Sequence, residues 1–151
     1  MSIIKELINN TTFLTVISGV LVFIISQYLL ELIINPMREY KQIKSKIGFA
    51  ITMYACYYSN PFNYDKKGLS DEIKMYENVS NELRKTGSEL SGYIATIPRF
   101  RIHKIKKLNE VKRYLIGLSN GLFIHNSDSD TINHNIEFSR KIEKILKLKD
   151  K

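Results

Sequence analysis

The stretch FLTVISGVLVFIISQYLLELIINP, Phe13 to Pro36, decides the fold class. It overlaps an uncharged run from Leu7 to Leu30, and about 20 consecutive apolar residues suffice to cross a bilayer. Over all 151 residues the mean hydropathy is only −0.18, so the apolar content is concentrated here and a polytopic protein is excluded. The run predicts one transmembrane helix. A secretory signal fits poorly: Lys5 is offset by Glu6, the run is long, and no small-x-small cleavage site follows. A buried core helix fits poorly as well, because a soluble domain of roughly 115 residues rarely encloses a helix this long and this apolar.

Flanking cations set the expected orientation. Lys5 alone precedes the span, whereas Arg38, Lys41, Lys44 and Lys46 follow it closely. By the excess of Lys and Arg on the cytoplasmic side, the N-terminus is expected outside and the remainder in the cytoplasm. The lone Cys56 makes no internal disulfide, in keeping with a reducing compartment. The expected organisation is an anchor over 1–36 and a basic helical domain over 37–151.

Working outward from Pro36, the expectation is an all-α chain, with the span followed by a bundle of about four helices. Pro36 is expected to kink or interrupt the first helix. Ile43, Ile47, Ile51 and Tyr54 predict a helix from about Met37 to Ser59, ended by Asn60-Pro61. The segment FNYDKKG reads as a loop. From Leu69 to about Ile97, the positions Ile73, Tyr76, Ser80, Leu83, Gly87, Leu90, Ile94 and Ile97 alternate by three and four, which makes a seam for another helix. Residues 99–108 read as a basic connector. Asn109 reads as a helix cap before the face Leu108, Val111, Leu115, Leu118 and Leu122. A last helix is expected from about Thr131 to Lys149, burying Ile132, Ile136, Ile142, Ile145 and Leu146. No pair of strands is expected.

Charge is uneven. The chain carries +8 formally, while residues 1–36 contain Lys5, Glu6 and Glu31, so the net positive charge lies entirely beyond the span. Its densest part is PRFRIHKIKK and its extension. Arg99, Arg101, Lys104, Lys106, Lys107, Lys112 and Arg113 are there, with Phe100 among them. Such a cluster can neutralise several phosphates while an aromatic ring stacks on a base. It can equally lie on anionic lipid, or be a solvated face of a basic protein. Tyr54, Tyr57, Tyr58, Phe62 and Tyr64 read as a hydrogen-bonded aromatic core, with a base-stacking platform as the alternative.

Catalytic and metal signatures are lacking. There is no nucleophile elbow, Walker loop or glycine-rich phosphate cradle. His103, His125 and His134 do not have metal-ligand spacing, and Asp128 and Asp130 stand in a turn without the glycine and glutamate of an EF-hand. A non-enzymatic role without cofactor is expected.

Within the span, Thr12, Gly19 and Ser26 recur every seven residues and Thr15 precedes Gly19 by four. Small residues on one stripe let spanning helices approach closely. Gln27 and Glu31 lie one turn apart near the inner end. In an assembly, Glu31 would ring the mouth of a cation-favouring pore; alternatively it reaches the headgroups by a slight tilt.

Three passages carry a resemblance: NPMREYKQIKSKIGFAITMYACYYSNP, NELRKTGSELSGYIATIPRF and YLIGLSNGLF. In layout the chain resembles the membrane effector of the bacterial Hailong antiphage system. The resemblance implies an oligomeric membrane effector held closed by single-stranded DNA oligomers that a nucleotidyltransferase partner makes. Loss of those oligomers would open it and depolarise the cell. No ligand-binding motif is carried over residue by residue. The resulting expectation is a homo-oligomer, taken as four copies, that contacts membrane lipid and binds the oligomer through the basic cluster. The alternative is a membrane-anchored scaffold or anionic-lipid-binding protein whose span is purely structural.

Overall fold

The computed structural model describes residues 11–63, 70–98, 102–124 and 129–148. The chain divides into two compact units, Met1–Glu39 and Tyr40–Lys151. Among the described residues the elements are α1 (Thr11–Leu29), a π-helical turn (Leu30–Ile34), α2 (Asn35–Met53), α3 (Ala55–Ser59), β1 (Phe62–Asn63), α4 (Ser70–Thr96), α5 (Ile102–Asn120), β2 (Phe123–Ile124) and α6 (Ser129–Leu146). The molecule is predominantly helical, as its periodicity predicts. The boundary between the units falls within α2.

In the first unit, α1 buries none of its residues. Its large side chains are open, with Val22 at 64% and Phe23 at 63% exposure. It is long and apolar enough to cross a membrane. Its hydroxyls are satisfied locally: Thr15 Oγ1 donates to the Thr11 carbonyl at 2.8 Å, Ser18 Oγ to Thr15 at 2.9 Å and Ser26 Oγ to Val22 at 2.7 Å. Such back-bonding leaves these hydroxyls paired within their own helix.

Of the two outcomes expected at Pro36, a kink or an interruption, interruption is not seen: helical geometry continues from Thr11 to Met53. The adjustment precedes it. The Asn35 N–H donates to the Leu30 carbonyl, five residues back, and Asn35 keeps α-helical angles of −61° and −49°. A π turn widens the helix by one residue, so the proline ring meets a relaxed turn instead of a tight carbonyl ladder.

The second unit has its own core. Ile47 and Ile51 come from α2, Leu83 and Leu90 from α4, Val111, Leu115 and Leu118 from α5, and Ile142 and Leu146 from α6, all at 2% exposure or less. The predicted face of α5 is buried throughout. The seam of α4 is buried at Ser80, Leu83, Gly87, Leu90 and Ile97, and the neighbouring Val79 and Tyr93 are buried too. Gly87 lets α5 come close: a Cβ there would stand 3.2 Å from Ile116 Cδ1.

Three further expectations are corrected. The helix predicted over 37–59 starts earlier, at Asn35, and is broken at Tyr54, whose angles are −98° and 14°. Across that break the buried Tyr58 hydroxyl donates to the Ile51 carbonyl at 2.9 Å. The segment after Pro61 is not all loop. Phe62 and Asn63 pair in parallel with Phe123 and Ile124, and the Phe62 N–H reaches the Leu122 carbonyl at 2.8 Å. Two-residue strands are too short to show a period of two. Finally, α5 begins at Ile102, so most of the expected connector is helical and Asn109 lies inside the helix. Ile105 and Leu108 continue the Val111–Leu115 stripe backwards, and that continuity is the physical reason the helix starts sooner.

Candidate basic face and apolar helix

The basic cluster is divided by helix geometry. At 3.6 residues per turn, Lys104 falls near the buried stripe of Leu108, Val111 and Leu115, whereas Lys106 and Arg113 fall on the opposite side. Lys112 and Lys107 occupy the two flanks. Burial follows this order: Lys104 and Lys112 are half-buried, while Lys106, Lys107 and Arg113 are exposed. Arg99, Phe100 and Arg101 lie outside the described residues.

Lys104 is engaged internally. Its Nζ donates to the Tyr93 hydroxyl at 3.1 Å and stands 4.0 Å from the centroid of the Tyr40 ring. The two rings lie 6.1 Å apart. The ammonium therefore joins α5 to α2 and α4 through a cation–π contact and a hydrogen bond. This side chain is removed from the outward-facing set. A lysine in a charge run reads as solvated; its position on the Leu108–Leu115 stripe is the signal for these contacts.

What remains outward is a shallow depression on α5 lined by Lys106, Asn109, Glu110, Lys112 and Arg113. Arg113 also lies 5.6 Å from the Tyr114 ring. Three cations against one carboxylate suit an anion with more than one charge. Glu110 disfavours a single phosphate placed beside it.

The aromatic set is a packed cluster. Tyr57 and Phe62 surround Tyr76 at centroid distances of 5.0 and 5.6 Å, and Phe123 lies 6.2 Å from Tyr76. The Tyr76 hydroxyl donates to the Asn60 carbonyl at 2.5 Å. Burial, then the charges of Glu72, Cys56 and Tyr57, raise the Tyr76 pKa above its ordinary value. The rings contact one another, which favours the core reading over an open stacking platform. Tyr64 lies outside the described residues, as does His125.

Two buried polar groups escaped sequence reasoning. Ser119 is fully buried, its Oγ 2.9 Å from both Ser80 Oγ and Arg84 Nε, and Arg84 Nη2 also reaches Asn120 Oδ1 at 3.1 Å. Asn135, 1% exposed, donates Nδ2 to the carbonyls of Tyr58 at 3.0 Å and Gly121 at 2.8 Å. Both knit helices together and leave no open valence for chemistry.

In the long apolar helix and its π turn, Thr12, Thr15, Gly19, Ser26, Gln27 and Glu31 are all exposed. A Cβ built at Gly19 meets nothing within 4 Å. Glu31 lies within the π turn. Among the described residues, no group of three His, Cys, Asp or Glu side chains is placed to hold a metal ion. The chain matches no family model, no curated protein and no solved structure.

Proposed function

We propose that the chain is a non-enzymatic effector tethered in the bacterial inner membrane, with its N-terminus outside and the 40–151 unit in the cytoplasm. The observation that carries this reading is α1 itself. From Leu14 onward its large apolar side chains are exposed, far beyond the patch of a few hundred Å² that a soluble monomer tolerates. Lipid is the solvent that suits such a surface. Copies associate through the Thr12–Gly19–Ser26 stripe, four in the working arrangement, with Glu31 at the cytoplasmic mouth. The basic face formed by Lys106, Lys107, Lys112 and Arg113 binds a nucleic-acid-like anion, a single-stranded DNA oligomer in the effector resembled by the sequence. Loss of that ligand opens a conducting path and depolarises the cell in antiphage defence.

One observation favours a second reading, a scaffold with a structural span. The hydroxyls of Thr15, Ser18 and Ser26 bond to their own helix, so they need no neighbouring helix to satisfy them.

The deciding experiment places the full chain in lipid nanodiscs and measures its mass and its binding of short single-stranded DNA across a salt series. The effector reading expects several copies per disc and affinity falling linearly with log salt, by about 0.7 log units per phosphate neutralised. Lys106→Glu with Arg113→Glu should flatten that slope. A strict monomer that ignores the oligonucleotide at low salt would overturn the proposal.

A further inference from the structure

The 40–151 unit has a second concave surface, between α2 and α4. Ala50, 3% exposed, lies in it, and Thr86 lines it from α4. Beside Ala50 stands Phe49, 64% exposed, with Met53 one turn further at 59%. Among the described residues of this unit, the other exposed large apolar side chains are Met75 and Ile102. Neither lines this depression, whose volume is about 400 Å³.

Its rim is charge-balanced. Lys46 pairs with Glu89 at 2.7 Å, and Lys85 with Glu82 at 3.6 Å. Two cations and two anions cancel, on a chain whose formal charge is +8. Copies that meet through this rim do so without net like charge. The surface also carries both halves of a contact: a protruding aromatic ring and, one residue along, a small side chain in a hollow.

We propose that this surface is a two-fold interface between copies of the chain, in which Phe49 of each copy enters the hollow over Ala50 and Thr86 of the other. A self-complementary patch of this kind is what two-fold symmetry requires. A central aromatic in a pocket, ringed by polar side chains, is the usual carrier of binding energy. Copies held in one membrane meet at high effective concentration, so a small contact suffices. The inference rests on the self-association reading above and names the surface that serves it.

The test uses the full chain in nanodiscs. In a Cys56→Ser background, Phe49→Cys should form a disulfide-linked dimer on mild oxidation, and Ile102→Cys should not. Phe49→Glu should weaken self-association at least about tenfold, with the helical circular dichroism unchanged. Double reversal, Lys85→Glu with Glu82→Lys, conserves the charge balance and should leave assembly intact. An assembled chain that shows no cross-link at position 49 and is indifferent to Phe49→Glu would reject the groove and spare the assembly reading. A wild-type chain that is monomeric at every protein-to-lipid ratio would reject both. Loss of binding to anionic vesicles by Phe49→Glu, with assembly unchanged, would assign the patch to lipid instead and also overturn the proposal.

Discussion

Asn135 carries the largest stability effect expected of a single polar side chain. One amide bridges two carbonyls, Tyr58 before β1 and Gly121 before β2, and it is buried to 1% exposure. Asn135→Ala strands both acceptors and should cost about 2–4 kcal/mol, from about 1–3 kcal/mol per unsatisfied buried group with partial relaxation; urea denaturation measures it. Gly121→Ala attacks the same joint from the other side, since its Cβ would stand 2.2 Å from Asn135 Oδ1. Lys104 gives a contrasting case. Lys104→Met keeps the stem and removes the ammonium from Tyr40 and Tyr93, which should lower stability by about 1–2 kcal/mol. It should leave the salt dependence of oligonucleotide binding as it was, whereas Lys106→Glu should change the salt dependence and spare the stability. Measuring both quantities on both variants separates structural from outward cations. An equal loss of binding in Lys104→Met would return this residue to the ligand face. Neither Asn135 nor Lys104 was legible as an internal residue, because polar and charged types read as surface until the partner from another helix is known.

Among the elements, α6 ends unusually. Lys147 has φ of 51°, a left-handed conformation that normally falls to glycine. The Leu148 N–H reaches the Glu143 carbonyl at 3.0 Å and the Lys147 N–H reaches Lys144 at 3.3 Å, the pairing of a Schellman cap. Leu148 then lies against Gly48 of α2, and Lys44 Nζ donates to the Lys147 carbonyl at 3.2 Å. Only the side chain of Lys147 is unsuited to the position. Lys147→Gly should therefore stabilise the unit, by up to about 1 kcal/mol, the cost of a left-handed residue with a Cβ; an unchanged or lower melting temperature would count against that account. At the joint between α3 and α4, Tyr76 should give an alkaline dependence. Its folded pKa is raised, so its contribution is complete below the ordinary tyrosine value near 10.0 and declines as pH rises through the folded value. Tyr76→Phe should reduce the alkaline fall in stability measured by denaturant titration. The positions of α4 and α5 were legible because leucines repeat at helical spacing. The extra burial of Val79 and Tyr93 was not, because it depends on α4 meeting more than one neighbour. The π turn was not either: the proline announces a difficulty, and the sequence does not say which upstream turn absorbs it.

For the molecule as a whole, the two units have opposite relations to water. Residues 40–151 bury a core drawn from α2, α3, α4, α5 and α6, whereas α1 has no buried residue. The apolar stretch at Phe13–Pro36 made this division legible. The candidate ligand face was legible only as a charge run, since helix phase, not composition, separates Lys104 from Lys106 and Arg113. A fragment spanning 37–151 should consequently fold alone, with helical circular dichroism and one cooperative unfolding transition. It should also retain the outward cations and, on the proposed function, the oligonucleotide affinity of the full chain. Self-association should behave differently. On the proposed function, removing α1 removes both the small-residue stripe and the confinement that would give a small contact its effective concentration, in the millimolar range for short tethers. At about 10 µM, well below that range, the fragment should sediment as a monomer while the full chain in lipid remains assembled. A fragment that assembles as readily as the full chain would mean that the 40–151 unit supplies the whole association energy and that the span only anchors. A fragment that fails to fold would show that α1 supports the core of the second unit, against the independence its buried residues predict.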